Sequence, residues 1–339
     1  MPKPPAWMAA FRYHVEKNQE DVVIPEALSS VVAVAAWLAC LATVMGFLGR
    51  WGWLFELASH FRRQYCWMLI GSAALLSIAR RWPEAAVAAG GALSNGVLLV
   101  PLRARAVPGT DGSNGRIVRA LSANLFSSRN RSYERVRRLI READPDVIAL
   151  QEVTPEWLAA LQGLQAAYPF SKAVVHARRF GIMVLSRIPF ERVDVVRVGA
   201  VGLPSIIARL QLPEERRLTV ISTHPFSPVT PARAKSRNLQ LRALAEFVSS
   251  QQGPRLVLGD LNTTSWSPMF QDFLRRTRFR DSRIGFGLQP TWPVAIRALQ
   301  IPLDHCLVSS EIVVHRRAVW GDIGSDHYPI VVDVSIARG

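Results

Sequence analysis

Several short stretches of the chain place acids, amides or imidazoles where an apolar run ends or begins. Asn124 lies in "SANLF", Glu152 in "LQEV" and His224 in "STHP". Asp260 and Asn262 lie in "GDLN", Asp304 in "LDHC", and the adjacent pair Asp326 and His327 in "SDHYP". Taken singly, each has a plain reading. A "QE" pair is commonly a solvated strand end, "GDLN" a turn whose Asp and Asn bond the local backbone, and "LDH" a strand start with a satisfied core histidine. Together they form a set of carboxylate, amide and imidazole donors with no thiolate. Hard oxygen donors of this kind suit Mg²⁺, with Mn²⁺ as a substitute. Such an ion beside imidazoles suits attack of water on a phosphoester.

To act together, these residues need a scaffold that brings distant strand ends to one place. "RIVRALSANLF" is β-like, and "SYERVRRLIREADPD" follows it as a helix. Ser132 is placed to cap that helix, Tyr133, Val136, Leu139, Ile140 and Ala143 form its apolar stripe, and Pro145 stops it. "DVIALQEV" is a short apolar run and reads as a buried strand. "PEWLAALQGLQAAYP" opens a helix on proline, and "AVVHARRFGIMVLSR" reads as two strands around Phe180 and Gly181. "RLTVISTHP" and "RLVLGDLN" are strands separated by the long helix of "AKSRNLQLRALAEFVSS"; "LDHCLVS" and "HYPIVVDVSI" are the closing strands. Apolar strands mixed with amphipathic helices predict an α/β fold with central sheets and outer helices. In open α/β architectures ligands sit beyond strand ends.

The ordered motifs "SANLF", "DVIALQEV", "GIMVLSR", "STHPF", "VLGDLNTTSWSP", "PLDHCLVS" and "GSDHYPIVV" resemble those of the endonuclease/exonuclease/phosphatase superfamily of DNase-I-like enzymes. The resemblance covers roughly Arg116 to the end. It implies a four-layered α/β sandwich of two mixed β-sheets flanked by helices. It also implies roles: Glu152 as the main Mg²⁺ ligand, with Asn124 and Asp326 supporting the metal or its network. Asp260 would orient or deprotonate the attacking water, and Asn262 and His224 would contact the phosphate. His327 would hydrogen-bond or protonate the phosphoryl oxygens, with Asp304 orienting its ring. One departure stands out: Phe126 occupies the place where many nuclease members carry a further acidic metal ligand. His305 would point to the opposite strand face from Asp304. His176 and His315 lack a motif and read as surface residues. Arg178, Arg179 and Arg187 suit either a substrate phosphate or a solvated basic face.

The first third has a different composition. "LSSVVAVAAWLACLATVMGFLG" (residues 28–49) carries no charge and matches the roughly 20 residues needed to cross a bilayer. "YCWMLIGSAALLSIA" is shorter, with Arg80 and Arg81 as interface anchors. "EAAVAAGGALSNGVLLVPL" is rich in the small residues of membrane packing faces. These predict a membrane region at 1–102 with about three transmembrane helices, a linker at 103–115 and a catalytic domain at 116–339. A soluble domain with buried helices is the alternative for the two weaker segments. A cleaved signal peptide fits less well, since a charged lead of roughly 27 residues precedes the apolar run and no small-x-small site closes it. "WLAC" is a poor lipoprotein signal because of Trp37. Sidedness is undetermined: Lys3, Arg12, Lys17, Arg80 and Arg81 on one face balance Arg50, Arg62, Arg63, Arg103 and Arg105 on the other.

The 339 residues carry a formal net charge of +15, mostly from arginine, which suits an anionic partner. Three cysteines, Cys40, Cys66 and Cys306, form no disulfide framework or zinc-type spacing. An anchor beside a hydrolytic site favours a substrate in the same bilayer. The layout resembles bacterial membrane members of the superfamily linked to glycopeptide resistance. These act on undecaprenyl diphosphate, with the catalytic domain outside the cytoplasm. The leading expectation is therefore a cell-membrane, multi-pass hydrolase of a phospholipid or isoprenyl diphosphate. A tethered nuclease is the alternative, favoured by the arginines, although "RNRSYERVRR" carries a helical stripe rather than interleaved aromatics. A non-enzymatic scaffold is disfavoured by intact motifs, and nothing calls for an obligate protein partner.

Overall fold

The structure, a computed structural model, describes residues 24–100, 116–199 and 202–337. The expected linker at 103–115 lies outside them, as do Lys3, Arg12, Lys17, Arg103 and Arg105. Two six-stranded mixed sheets form the larger part. The first contains β1 (Val118–Asn124), β2 (Val147–Gln151), β3 (Phe170–Val174), β4 (Ile182–Ser186), β11 (Ile312–Val319) and β12 (Ile330–Ile336). Its order is β11-β12-β1-β2-β4-β3. The second contains β5 (Phe190–Arg197), β6 (Pro204–Gln211), β7 (Arg217–Thr223), β8 (Arg255–Asp260), β9 (Arg280–Asp281) and β10 (Asp304–Val308). Its order is β5-β6-β7-β8-β10-β9.

The central strands read as unbroken apolar runs because both of their faces are covered. Between the sheets lie Val118, Val147, Val184, Ile206, Val220 and Leu258, among others. On the outer face of the first sheet, Leu121 and Ile148 meet Val136 and Ile140 of the helix Tyr133–Ala143, and Trp157 of the helix Pro155–Leu161. On the outer face of the second, Ile221 and Val257 meet Leu241 and Leu244 of the helix Pro231–Ser250, and Phe270 of the helix Pro268–Thr277. This is the expected helix-sheet-sheet-helix sandwich. Ser132 precedes its helix as expected but makes no side-chain cap bond; its own N–H donates to Asn130 Oδ1 at 2.8 Å.

The pairing directions determine where a site can form. β1 runs parallel to β2, and β7 parallel to β8, each pair joined by a crossover helix. Parallel partners end at the same edge of their sheet. The antiparallel neighbours, β12 beside β1 and β10 beside β8, begin at that edge. Both sheets therefore bring strand ends and strand starts together.

The described residues divide into two compact units. One comprises residues up to Leu41 together with Tyr65–Ser94. Its core is made of small residues from three helices: Ala33, Ala36 and Ala39, then Ala85, Ala88 and Ala92, closing on Leu69 and Leu76. Its exposed faces are apolar, with Trp37, Leu38, Trp67 and Leu93 all turned outward. Among the described residues, one helix, Glu26–Phe47, is long and apolar enough to cross a membrane, where the sequence pointed to about three. The helix Arg62–Ile78 opens on two arginines and a glutamine, and Trp82–Leu99 carries Asn95.

The other unit joins Ala42–Gln64 and the residues from Asn95 onward to the sandwich. It includes the short helix Trp53–Ala58 and the 3-10 turn Ser59–Phe61, which lie in sequence between the first two long apolar helices. Trp53 Nε1 donates to the Pro228 carbonyl at 2.6 Å, and Arg63 Nη2 and Gln64 Nε2 each donate to the Gln300 carbonyl at 3.0 Å.

Candidate active site

Asn124 ends β1 and Asp260 ends β8. Glu152 follows β2 directly, and His224 follows β7. Asp304 opens β10 in register with Asp260, and His327 precedes β12. A cleft of about 480 Å³ is lined by Asn124, Glu152, His224, Asp260, Asn262, Asp326 and His327. Asp304 lies behind His327, whose Nδ1 is 2.8 Å from its Oδ2. All eight residues singled out in the sequence thus surround one place.

Their hydrogen bonds define a frame. Asn124 Nδ2 donates to Asp260 Oδ2 at 3.1 Å, while its Oδ1 accepts from the Phe126 N–H at 2.9 Å. The Asn262 N–H donates to Asp260 Oδ1 at 2.8 Å, and Asn262 Nδ2 donates to the Pro225 carbonyl at 3.0 Å. Glu152 Oε2 accepts from the Ser127 N–H at 3.1 Å and from Ser127 Oγ at 3.3 Å. His327 Nε2 and His224 Nδ1 approach Asp260 Oδ2 to 3.6 and 3.7 Å. Neither distance is a hydrogen bond, so both rings face the carboxylate across a gap. Glu152 and Asn262 hold left-handed backbone, with φ of 60° and 49°. Non-glycine residues in that region persist where the surroundings over-determine them, commonly at functional sites.

Burial and mutual charge separate the protonation behaviour of these groups. Burial pushes Glu152 up to about 6, with Arg179 opposing. Burial also pushes Asp260 up to about 7, with His327 opposing. Burial alone would lower His327, yet the charges of Asp304 and Asp260 raise it to about 10. Asp304 moves the other way, held below the usual carboxylate range because the His327 charge and hydrogen bond outweigh its burial. Burial, aided by the His327 charge, lowers His224 to about 4. The two histidines therefore differ at neutral pH: His327 is an imidazolium and His224 a neutral ring.

The Asp326 carboxylate lies near enough to Glu152 for its charge to be felt there. Asp326 Oδ2 accepts from Trp292 Nε1 at 3.1 Å, while its Oδ1 is buried without a hydrogen-bond partner. Among the described residues no group of three or more His, Cys, Asp and Glu is placed to hold a metal ion by itself. A cation that keeps several of its waters and takes one or two carboxylates fits such a place; Mg²⁺ behaves in this way.

Two supporting residues, Thr291 and Ser325, are not marked by any pattern of their own in the sequence. Thr291 Oγ1 accepts from the Leu303 and Asp304 N–H groups at 3.1 and 3.2 Å and so fixes the start of β10. Ser325 Oγ donates to the Asn124 carbonyl at 2.7 Å and accepts from the His327 N–H at 3.1 Å. Arg179 lines the cleft, and Arg178 lines an adjoining cavity of about 980 Å³ with Arg131, His176 and Arg233. Arg187 is engaged elsewhere, paired with Asp144 at 2.6 Å and stacked on Tyr168. His305 faces away from Asp304 as expected: its Nε2 lies 2.8 Å from the Thr263 carbonyl, and its ring packs on Phe270. His176 and His315 are both exposed, as expected, with His315 Nε2 2.7 Å from Ser335 Oγ.

The profile of the Endonuclease/Exonuclease/phosphatase family matches residues 121–327, from β1 to His327, and the chain belongs to that family. It is accordingly a phosphoester hydrolase, and enzymes of the family generally use divalent metal ions. Among solved structures, the chain is similar to an endonuclease/exonuclease/phosphatase from Beutenbergia cavernae (18% identity, TM-score 0.54, covering 66% of this chain and 72% of that one). It is similar to D. rerio TDP2 complexed with single-strand DNA product (16% identity, TM-score 0.55, 65% and 99%). It is also similar to the human Nocturnin catalytic domain with bound sulfate (17% identity, TM-score 0.54, 65% and 95%). No curated protein gives a significant sequence match.

Proposed function

We propose that the chain is a membrane-anchored, Mg²⁺-dependent hydrolase of a lipid phosphoester or diphosphate, with a phospholipid or an isoprenyl diphosphate resembling undecaprenyl diphosphate as substrate. The observation that carries this reading is the lining of the cleft. Beside the polar constellation stand Leu57, Phe61, Phe226, Val229 and Ile301, and where the cleft adjoins the second cavity the two share Arg179 and Arg233. Apolar and cationic walls around one hydrolytic centre suit an amphiphile. The outward apolar faces of Glu26–Phe47, Arg62–Ile78 and Trp82–Leu99 over an alanine core support a multi-pass anchor in the cell membrane. By resemblance the catalytic domain faces outside the cytoplasm.

In this reading Glu152, with Asp326 and Asn124, holds the divalent ion, for which Mn²⁺ can substitute. The bound ion supplies Lewis-acid stabilisation of the phosphoryl oxygens. Asp260, held by Asn124 and Asn262, takes a proton from the attacking water. Its raised pKa suits a base working near neutrality. His327 spans from Asp304 toward the gap and donates its Nε2 proton to a phosphoryl oxygen. His224 and Asn262 bind the phosphate from the second sheet.

The test is turnover by the detergent-solubilised protein with Mg²⁺ on an isoprenyl diphosphate, phospholipids, sphingomyelin, inositol phosphates and plasmid DNA. Lipid turnover well above that of DNA is expected. A second reading, a tethered nuclease, is favoured by Arg131, Arg178, Arg179 and Arg233 around the adjoining cavity; DNA as the preferred substrate would establish it instead.

A further inference from the structure

Three lining residues of the cleft lie outside the span matched by the family. Leu57, His60 and Phe61 come from the helix Trp53–Ala58 and the 3-10 turn after it, the segment between the first two long apolar helices. The segment is held firmly. Glu56 is buried, and its carboxylate accepts from Arg237 Nη2 at 2.6 Å on each oxygen and from Ser267 Oγ at 2.6 Å. Arg237, itself fully buried, donates through Nη1 to the carbonyl of Asn262 at 2.7 Å. The wall and the loop after Asp260 are thus one bonded structure.

His60 stands out within it. Its ring is 4% exposed, and its Nδ1 lies 2.9 Å from Thr264 Oγ1. Its Nε2 is buried without a hydrogen-bond partner, on a residue that lines the cleft. Burial, helped by the nearby Arg237 charge, holds this histidine down at about 3, so the ring is neutral throughout the working range. With Nδ1 paired to the threonine hydroxyl, Nε2 is the ring's remaining polar atom, and in the tautomer whose Nδ1 accepts from that hydroxyl it is an N–H donor. A buried polar atom left unpaired is costly, and this one belongs to a residue that lines the cleft.

We propose that His60 is a substrate-binding residue. Its Nε2–H donates a hydrogen bond to an oxygen of the phosphorylated headgroup, beyond the scissile phosphate, while Leu57 and Phe61 hold the adjoining apolar chain. One short element then meets both halves of an amphiphile. This rests on the lipid reading above, and it makes the segment between two apolar helices a determinant of specificity.

The experiment uses the full chain in detergent, with His60→Ala, His60→Gln and Phe61→Ala. The substrates are a long-chain isoprenyl diphosphate, its short-chain analogue and a soluble aryl phosphodiester. Loss of one hydrogen bond to the headgroup should lower kcat/KM for the long-chain substrate about tenfold more than for the aryl ester, chiefly through KM. His60→Gln, which retains an amide N–H, should recover most of that selectivity. Phe61→Ala should raise KM for the long chain more than for the short one. Equal losses on every substrate, in step with a fall in Tm, would overturn the assignment by showing a structural role. An unchanged KM ratio in His60→Ala at unchanged Tm would overturn it as well. Preference of the wild-type protein for plasmid DNA would overturn the lipid reading instead. The binding role would then stand only if His60→Ala raised KM for DNA more than for the aryl ester.

Discussion

His327 sits between carboxylates, and its proton is the most environment-dependent in the site. With its folded pKa raised from 6.5 to about 10, the stabilisation it contributes is fully present below pH 6.5 and is lost as pH rises through about 10. In the metal-free protein, an NMR titration of the His327 ring should therefore show a midpoint far above the ordinary histidine value. Asp304→Asn should bring that midpoint down, and a midpoint unmoved by this substitution would show that Asp304 is not its main partner. The same pair should act as a unit in catalysis. His327→Ala and Asp304→Ala should each cost roughly a hundredfold or more in kcat, the range of acid-base groups, with the double variant little worse than the poorer single. Strict additivity in the rates would assign them separate roles. Glu152 stands apart from this pair: excess chelator should abolish turnover, and Glu152→Gln should weaken both rate and Mg²⁺ affinity, as measured by calorimetry.

The elements explain why these side chains keep their places. Gly259 precedes Asp260 with φ of 146°, and an added Cβ there would meet the Thr223 carbonyl oxygen at 2.0 Å. Thr223 precedes His224, so this close approach brings the ends of β7 and β8 together. Gly181 does the same beside Glu152, where a Cβ would lie 1.8 Å from the Val153 carbonyl oxygen. The buried Glu56–Arg237 pair ties the inter-helix segment to the sandwich. Removing one partner of such a pair leaves an uncompensated buried charge, at a cost of roughly 3–5 kcal/mol. Glu56→Ala should lose about that much stability in denaturant unfolding, whereas Glu56→Ala with Arg237→Met should recover a large part. A loss below about 1 kcal/mol for Glu56→Ala would mean that water reaches Arg237 and that the segment does not seal the site.

For the whole molecule, this pair changes what removal of the first third should do. The motifs alone argue that a domain starting near Arg116 is complete and would hydrolyse soluble esters unaided. That piece would lack Glu56, Leu57, His60 and Phe61, leaving Arg237 buried and unpaired and one wall of the cleft missing. The expected outcome is loss on soluble phosphoesters as well as on vesicle lipid, with a lowered Tm. Full retention of soluble-ester turnover by the truncated protein would show that the segment matters only for location. The +15 charge acts at the same scale: binding to anionic vesicles should weaken as salt rises, because exposed charges are screened within a Debye length.

Local chemistry was sufficient to read much of this from the chain. Apolar runs ending in Asn124, Glu152, His224 and Asp260 announced strands, and the order of the motifs announced the family, because each motif is contiguous and its residue types are demanded by its task. The strands Phe190–Arg197 and Pro204–Gln211 are not legible in the chain, since they carry no motif and the first is half-exposed. Asp304 could be named from "LDHC" and its partnership with His327 from the resemblance, but the contact itself joins the start of β10 in the second sheet to the residue before β12 in the first, so it exists only once the two sheets are packed together. Thr291, Ser325 and Arg237 are ordinary in sequence and acquire their meaning only from what lies across the fold. The largest difference concerns residues 53–64. By composition they are a connection between apolar helices, and hydrophobic periodicity cannot tell a loop in solvent from a wall of a cleft. That was decided by the ion pair from Glu56 to Arg237, 181 residues apart in the chain, an interaction that exists only once both are withdrawn from water.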